Sequence, residues 1–375
     1  MKTASNYTAW DLPHLTPKSF AELPKRDQLL HLVALAHLAP SSHNTQPWRF
    51  FVDEKNNTIN LYIDRIRVLP ASDKVGRQTL IGVGAALENL VVAAEYFGLH
   101  SKITLHINHE TKILPWENNK NLPRYTHVAS INFKPSSPNL AYETLVKSIT
   151  ERKVVRAEYD PERKISEEII KELEKIPDGE ITRLHLITDN LRRLSISEFQ
   201  GQADGFVINS KTFSRELGEW LLPNDTESPV GMPGNNFGLP DDQARRMHQG
   251  LLGETPLEPE DGLRFAIAGK MGIEKSPLIG FITVKKDTPE NWLAAGRTFE
   301  KIFLTLVTNG IQVAVHAGIV EVPLIKQIFS MTLGTLRPIT ALFRAGYVKK
   351  EEDKARPHSP RLPLNEVILN EADLN

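Results

Sequence analysis

Apolar residues recur along this chain with two periods, one typical of buried helices and one typical of strands. Residues 25–38 and 76–99 are long apolar stretches, which predict helices. Residues 49–52 and 58–63 alternate apolar and polar side chains on either side of Asn56-Asn57, a pattern that favours a β-hairpin. The first part of the chain is therefore expected to combine two helices with a hairpin.

The same periods continue through the rest of the chain. The predicted helices cover residues 141–151, 164–175, 191–218 and 292–307. The predicted strands cover residues 101–107, 127–133, 184–188, 278–284 and 339–347. Residues 1–24 are rich in proline and predict an extended arm instead. This mixture of helices and strands predicts an α+β fold.

Two of the predicted helices repeat each other. Residues 84–90 read Gly-x-x-x-Glu-x-Leu, residues 296–302 read Gly-x-x-x-Glu-x-Ile, and the matched positions lie 212 apart. The helices end at Gly98 and Gly310, which have the same separation. One explanation is convergence, in which two unrelated buried helices carry similar small and apolar residues. The alternative is a duplicated unit whose equivalent helices pack across a pseudo-twofold axis.

The duplication hypothesis divides the chain into two halves. The proline- and serine-rich residues 135–138 are a natural linker, so the first half covers residues 1–135 and the second residues 139–375. Each half is expected to hold an antiparallel-rich sheet flanked by helices. The chain would then be a monomer that acts as a pseudo-dimer.

The composition of the chain argues against several classes of function. Among 375 residues, 45 Lys and Arg balance 46 Asp and Glu, which argues against a nucleic-acid partner. There is no cysteine, so disulfides and thiolate metal sites are excluded, and no histidine spacing predicts a metal centre. The N-terminus lacks the apolar core of a signal peptide, and charges interrupt the longest apolar run. We therefore expect a cytoplasmic protein with no membrane partner.

The loop after the first long helix is the richest in candidate chemistry. Pro40 ends that helix, and residues 41–46 supply three hydroxyls, an imidazole and two carboxamides. Such a loop can hydrogen-bond a flat ligand with polar edges. A simple helix cap followed by a turn would use the same residue types.

The order of these residues resembles the flavin-contact loop of the nitroreductase family, the FMN-dependent oxidoreductases. That loop reaches across a dimer interface in the family. The resemblance implies FMN contacts for Pro40, Ser41, Ser42 and Asn44. Gln46 and Trp48, later in the same stretch, are expected to hold the loop in place.

A second stretch places Arg152, Lys153 and Arg156 within five residues. Alone, it reads as a phosphate site or as a solvated basic face paired with nearby glutamates. The nitroreductase resemblance implies FMN-phosphate binding, although Val154 stands where the family has serine. Near the C-terminus, Arg361 matches a further phosphate-binding arginine of the family.

Each motif occurs once, the loop in the first half and the arginine cluster in the second. The resemblance therefore implies one complete FMN site across the pseudo-interface and an inactive mirror site. It implies an oxidoreductase that takes electrons from NAD(P)H and passes them to a nitroaromatic, quinone or similar small acceptor. A backbone N–H within residues 313–323 would face the flavin.

Residues 221–262 bear on the alternatives to an enzyme. They hold several prolines and glycines, a short basic helix and the apolar residues Leu221, Leu222 and Phe237. Such a long segment is either a lid or a surface insertion without function. A lid that blocks the nicotinamide site would make the protein an FMN-sequestering or storage protein. A flavin-fragmenting enzyme is the third reading that the sequence leaves open.

Overall fold

The computed structural model describes residues 5–374 and confirms the α+β fold. The elements of the first half, in chain order, are α1 (Pro17–Ala21), α2 (Lys25–His37), β1 (Trp48–Asp53), β2 (Thr58–Asp64), α3 (Arg77–Tyr96), β3 (Leu99–Leu105) and β4 (Tyr125–Pro135). The elements of the second half are α4 (Glu143–Glu151), α5 (Glu167–Glu174), β5 (Thr182–Ile187), α6 (Asn190–Asn209), α7 (Lys211–Trp220), β6 (Leu221–Leu222), β7 (Met232–Pro233), α8 (Asp241–Leu252), α9 (Pro259–Glu274), β8 (Leu278–Val284), α10 (Pro289–Thr308), β9 (Gln312–Val315), α11 (Gly318–Glu321), α12 (Pro323–Thr332), β10 (Ile339–Gly346), α13 (Leu364–Val367) and β11 (Ile368–Leu369).

Four strands of each half are arranged in the same way. The first sheet runs β1-β2-β4-β3 and the second runs β5-β8-β10-β9, with antiparallel neighbours throughout. The C-terminal strand β11 adds to the first sheet, parallel to β1. The tail of the second half therefore crosses back and completes the sheet of the first. A third, two-stranded sheet pairs β6 with β7.

Helices α3 and α10 cross at the paired glycines of the repeat. A Cβ on Gly84 would lie 2.2 Å from the Leu293 carbonyl oxygen, and a Cβ on Gly296 would lie 2.0 Å from the Ile81 carbonyl oxygen. The contact is reciprocal, since each glycine meets the residue three positions before its counterpart. Neither site has room for a side chain, because a backbone carbonyl cannot rotate away.

Helices α6 to α9 lie between β5 and β8, in residues 188–277, and this stretch contains the predicted lid segment 221–262. We call residues 188–277 the insertion. The extended-arm prediction for residues 1–24 is wrong for its described part, since residues 5–10 form a short 3₁₀ helix and residues 17–21 form α1. Residues 1–4 lie outside the described residues.

Helix α3 lies in the core. It is long and apolar enough to cross a membrane by length and composition alone. However, 83% of its most apolar window is buried inside the protein, which is the behaviour of a core helix. The prediction of a buried helix at this position is confirmed.

Candidate functional site

A cavity of about 450 Å³ lies where the two halves and the insertion meet. The first half supplies residues 40–43 and one face of α3. The second half supplies parts of residues 315–321 and 340–344, and the insertion covers the remaining side. The volume is in the range of small-molecule and cofactor sites.

The loop that forms one wall of this cavity has an unusual backbone. His43, Asn44 and Gln46 have φ angles of 48°, 55° and 51°. Non-glycine residues seldom adopt this left-handed region, and such strain concentrates at functional sites. Surrounding contacts must therefore hold the loop in its conformation.

Gln46 and Trp48 provide those contacts. Gln46 Oε1 accepts from the Leu362 N–H at 2.9 Å, and Gln46 Nε2 donates to the Pro229 carbonyl at 2.8 Å. Trp48 Nε1 donates to His37 Nδ1 at 2.8 Å, and His37 Nε2 lies 2.9 Å from the Leu362 carbonyl. Burial lowers the pKa of His37 to about 3, so this ring is neutral. The contacts agree with the predicted role of both residues.

Three of the predicted loop residues, Pro40, Ser41 and Ser42, line the cavity. Ser41 Oγ accepts from the Gln46 N–H at 2.9 Å, and Ser42 Oγ donates to Gln78 Oε1. Hydrogen bonds to protein groups thus position both hydroxyls at the cavity wall.

Asn44 does not line the cavity. Its Nδ2 donates to the carbonyls of Gly231 at 3.0 Å and Pro360 at 2.8 Å, and its Oδ1 accepts from Arg361 Nη1 at 2.7 Å. All of its hydrogen-bonding groups therefore face protein. In this structure Asn44 fastens the loop to the insertion and to the C-terminal tail.

Arg361 also lies away from the cavity lining. Its Nη2 donates to the carbonyls of Leu38 at 3.0 Å and Ala39 at 2.9 Å, in addition to the contact with Asn44. These bonds tie the tail to the end of α2. The predicted phosphate role of Arg361 stays a prediction, and its contacts favour a structural role.

Arg152 and Lys153 are likewise occupied by protein groups. Arg152 Nε lies 3.3 Å from Glu300 Oε1, and its Nη2 donates to the Leu38 carbonyl. Lys153 Nζ donates to the carbonyls of Lys354 at 3.0 Å and Arg356 at 2.9 Å. Neither side chain lines the cavity, so their predicted contacts with FMN also stay predictions.

Arg156 does line the cavity, and its guanidinium stacks on Phe237 of the insertion at 4.4 Å from the ring centroid. Within residues 5–374 this guanidinium forms no ion pair. Burial and the nearby Arg344 lower the pKa of Arg156 to about 10, so it is still a cation at neutral pH. A half-buried cation without a paired carboxylate favours an anionic ligand.

Arg344 joins Arg156 at this end of the cavity, and sequence reasoning missed it. Its Nε donates to His316 Nε2 at 3.0 Å and its Nη2 donates to the Ala157 carbonyl at 2.9 Å. We call Arg156 and Arg344 the basic end. A signal was present in the sequence, since Arg344 interrupts the apolar run of residues 339–346.

His43 is a further cavity residue that sequence reasoning left out. Its Nδ1 is buried and has no hydrogen-bond partner within the described part of the chain. Burial and Arg156 lower the pKa of His43 to about 4, so the ring is neutral. A neutral ring with an unsatisfied nitrogen can hydrogen-bond a ligand.

Two carboxyl groups with glutamine partners also line the cavity. Gln200 Nε2 donates to Asp204 Oδ1 at 2.7 Å, and Gln78 Nε2 donates to Glu321 Oε1 at 2.9 Å. Burial raises the pKa of both carboxyl groups to about 7. We call Gln200, Asp204 and Glu321 the acidic end. Among the described residues, no group of three or more histidines and carboxylates could hold a metal ion.

Comparisons with known proteins agree with the motif. The model of the nitroreductase family matches residues 21–72. The protein "Putative NAD(P)H nitroreductase acg" of Mycobacterium tuberculosis is 23% identical over 349 residues, which cover 91% of this chain and 95% of that protein. "Probable NAD(P)H nitroreductase PigM" of Serratia sp. is 29% identical over 137 residues, or 36% of this chain and 34% of that protein.

Among solved structures, the FMN-dependent nitroreductase NfnB from Mycobacterium smegmatis, in complex with NADPH, is 16% identical. The match covers 61% of this chain and 97% of that chain, with a TM-score of 0.40. The family-model match over residues 21–72 and the nearly full-length match to acg show that the chain is similar to the nitroreductase family and, within it, to the acg type.

Proposed function

We propose that the chain is an FMN-dependent NAD(P)H oxidoreductase of the nitroreductase type, which reduces a small nitroaromatic or quinone-like acceptor. One observation carries the proposal: Ser41, Ser42 and Arg156 line one cavity, and the guanidinium of Arg156 forms no ion pair among the described residues. The names of the relatives, NAD(P)H nitroreductases, support the same reaction class.

The residues at the cavity fit FMN. Arg156 and Arg344 would hold the phosphate, because both line the cavity, Arg344 is buried and Arg156 half-buried, and neither is paired with a carboxylate among the described residues. Ser41, Ser42 and His43 would hydrogen-bond polar edges of the ring system, and apolar side chains would cover its faces. When bound, FMN supplies the electron-transfer chemistry, while this chain binds, orients and shields it.

The same structure supports a single site in a duplicated chain. The cavity floor holds Gly82 and Ala85 of α3, and the positions 212 residues later hold Ala294 and Arg297. Arg297 Nε lies 2.9 Å from Glu88 Oε2, so a large ion-paired side chain stands where the cavity has a methyl group. We propose internal duplication with halves 1–135 and 139–375, one FMN site, and a cytoplasmic monomer.

We expect the purified protein to be yellow and to bind one FMN per chain. The measurement is the flavin absorbance released on denaturation after reconstitution, divided by the protein concentration. Addition of NADPH under anaerobic conditions then tests electron transfer by bleaching of the flavin. A stoichiometry of two would contradict the single-site proposal, and a protein that takes up no FMN would contradict the proposed function.

A second candidate function is FMN sequestration, and the roof of the cavity favours it. The roof segment, residues 221–239, is fastened at several points. Gln46 Nε2 donates to the Pro229 carbonyl and Asn44 Nδ2 donates to the Gly231 carbonyl. Asn236 Nδ2 donates to the Pro357 carbonyl at 3.1 Å. A roof fixed to the flavin loop itself can exclude a nicotinamide ring.

Phe237→Ala should separate these two functions. The ring of Phe237 lines the cavity and lies on Arg156, so its removal opens the roof without breaking the hydrogen bonds that fasten it. If the roof limits access, we expect reduction by NADPH to accelerate by about tenfold or more, because lid opening can limit turnover. Stopped-flow bleaching of the flavin measures the rate.

Leu191→Ala, at an 80% exposed position of the same insertion, is the matched control and should leave that rate unchanged. Fast reduction of the unmodified protein, with no gain in Phe237→Ala, would show that the roof admits the nicotinamide. That result would favour an ordinary nitroreductase over a storage protein.

A further inference from the structure

The carboxyl groups of the acidic end, Asp204 and Glu321, form no ion pair among the described residues. Asp204 Oδ2 has no hydrogen-bond partner and Asp204 forms no ion pair within residues 5–374. Arg77 lowers the pKa of Glu321 from a distance, but Arg77 Nη2 donates to the Val320 carbonyl. Both carboxyl groups are therefore buried without a bonded cation. Buried carboxylates are normally paired, or else they take up a proton.

An independent feature points to a ligand at the same place. Gln200 is 2% exposed, lines the cavity, and its Oε1 has no partner in the described chain. Its Nε2 is already used by Asp204, so the free group is an acceptor. A buried amide oxygen without a donor is costly, and a ligand with N–H groups would satisfy it.

The backbone beside Asp204 leaves space for its carboxylate. A Cβ on Gly269 would lie 1.9 Å from Asp204 Oδ2, and a Cβ on Gly318 would lie 2.9 Å from Asp204 Oδ1. These two glycines come from α9 and α11, on two sides of the carboxylate. Any larger residue at position 269 would displace the carboxylate from its place.

We propose that the acidic end binds an organic ammonium group, so that the preferred second substrates are flat apolar molecules that carry a cationic nitrogen. The inference rests on the proposed function, since it takes the basic end to hold the FMN phosphate and the acidic end to face the second substrate. An organic cation fits better than a metal ion, because the neighbouring lining is apolar and aromatic, with Phe213, Leu217 and Phe265.

Two probes of similar size test the proposal: 4-nitrobenzylamine, a cation at neutral pH, and 4-nitrobenzyl alcohol, which is neutral. Isothermal titration calorimetry measures the dissociation constant of each with the purified full-length protein. We expect the amine to bind about tenfold more tightly, as one charge-assisted hydrogen bond would produce.

Asp204→Asn and Glu321→Gln should each remove most of this preference and leave the affinity for the alcohol unchanged. Both substitutions keep an oxygen acceptor for the glutamine that now donates to the carboxylate. Asp242→Asn, at an exposed carboxylate of α8, is the matched control and should keep the preference. Thermal melts establish that all variants are folded.

Equal affinities for the two probes overturn the inference, as does a preference that survives in the Asp204→Asn, Glu321→Gln double variant. The flavin content of the same preparation separates this inference from the proposed function. Protein with one FMN per chain and equal affinities rejects the ammonium site alone. Protein without FMN that still prefers the amine, with the preference lost in the two variants, supports the site and rejects the flavin.

Discussion

Gly296→Ala should lower the free energy of unfolding by about 3 kcal/mol, at the upper end for overpacking of a close contact. The added methyl group would lie 2.0 Å from the Ile81 carbonyl oxygen and 2.7 Å from its carbon. Helices α3 and α10 would have to separate to admit it. Denaturant unfolding followed by circular dichroism measures the loss.

Gly205→Ala is the matched control. Gly205 lies inside α6, and a Cβ there would meet nothing within 4 Å. This substitution should therefore raise the free energy of unfolding by about 0.5–1 kcal/mol, since alanine favours the helix more than glycine does. If the free energy of unfolding rises for Gly205→Ala and falls for Gly296→Ala, the destabilisation comes from the helix crossing and not from alanine itself.

The reciprocal geometry adds a sharper test. Gly84→Ala should destabilise by a similar amount, and the Gly84→Ala, Gly296→Ala double variant should lose less than the sum of the two. Helices that have separated to admit one methyl group already have part of the space for the other, so the two effects should couple. Strict additivity would contradict a shared crossing point.

The sequence was sufficient where a feature depends on local pattern. The predicted strand at residues 278–284 matches β8 residue for residue. The glycines predicted to end the paired helices have φ angles of 80° at Gly98 and 69° at Gly310, the left-handed conformation expected of such ends. Both features depend on residues adjacent in the chain, so the amino-acid order alone contains the information.

The insertion and the tail depend on contacts between distant residues and could not be predicted in this way. Proline and glycine content indicated a long loop at residues 221–262. It could not indicate that Gln46 and Asn44 donate hydrogen bonds to the carbonyls of Pro229 and Gly231 in that loop. Strand β11 has two residues, and its pairing with β1 brings together positions more than 300 apart. No local pattern encodes either contact.

At the candidate site, too, the sequence predicts features that depend on a local motif but not contacts between distant residues. The motif predicted FMN contacts for Pro40, Ser41 and Ser42, and these three residues line the cavity. It could not show that Asn44 and Arg361 would bond to each other. Arginine spacing in the sequence cannot distinguish a side chain that binds a ligand from one that binds backbone carbonyls.

Arg156→Gln and Arg344→Gln should each weaken FMN binding by roughly 2 kcal/mol, the value of a charge-assisted hydrogen bond to phosphate. Arg344→Gln should in addition lower the free energy of unfolding, because Arg344 also donates to His316 and to the Ala157 carbonyl. Riboflavin lacks the phosphate, so its affinity should hardly change. Fluorescence titration of the apoprotein with both flavins measures the difference. Arg156 forms no ion pair among the described residues, so its loss should leave few protein groups unsatisfied.

Arg361→Gln is the informative comparison. This side chain donates to the Leu38 and Ala39 carbonyls and to Asn44, all of them buried with it. Removing these bonds should reduce the free energy of unfolding by about 3 kcal/mol, because several buried acceptors lose their donors. Any effect on flavin binding should then be equal for FMN and riboflavin. A different result would contradict this assignment: Arg361→Gln weakens FMN but not riboflavin, while Arg156→Gln and Arg344→Gln weaken neither. The phosphate would then bind at Arg361 in the C-terminal tail, and the protein would have to change conformation to bring Arg361 to the cavity.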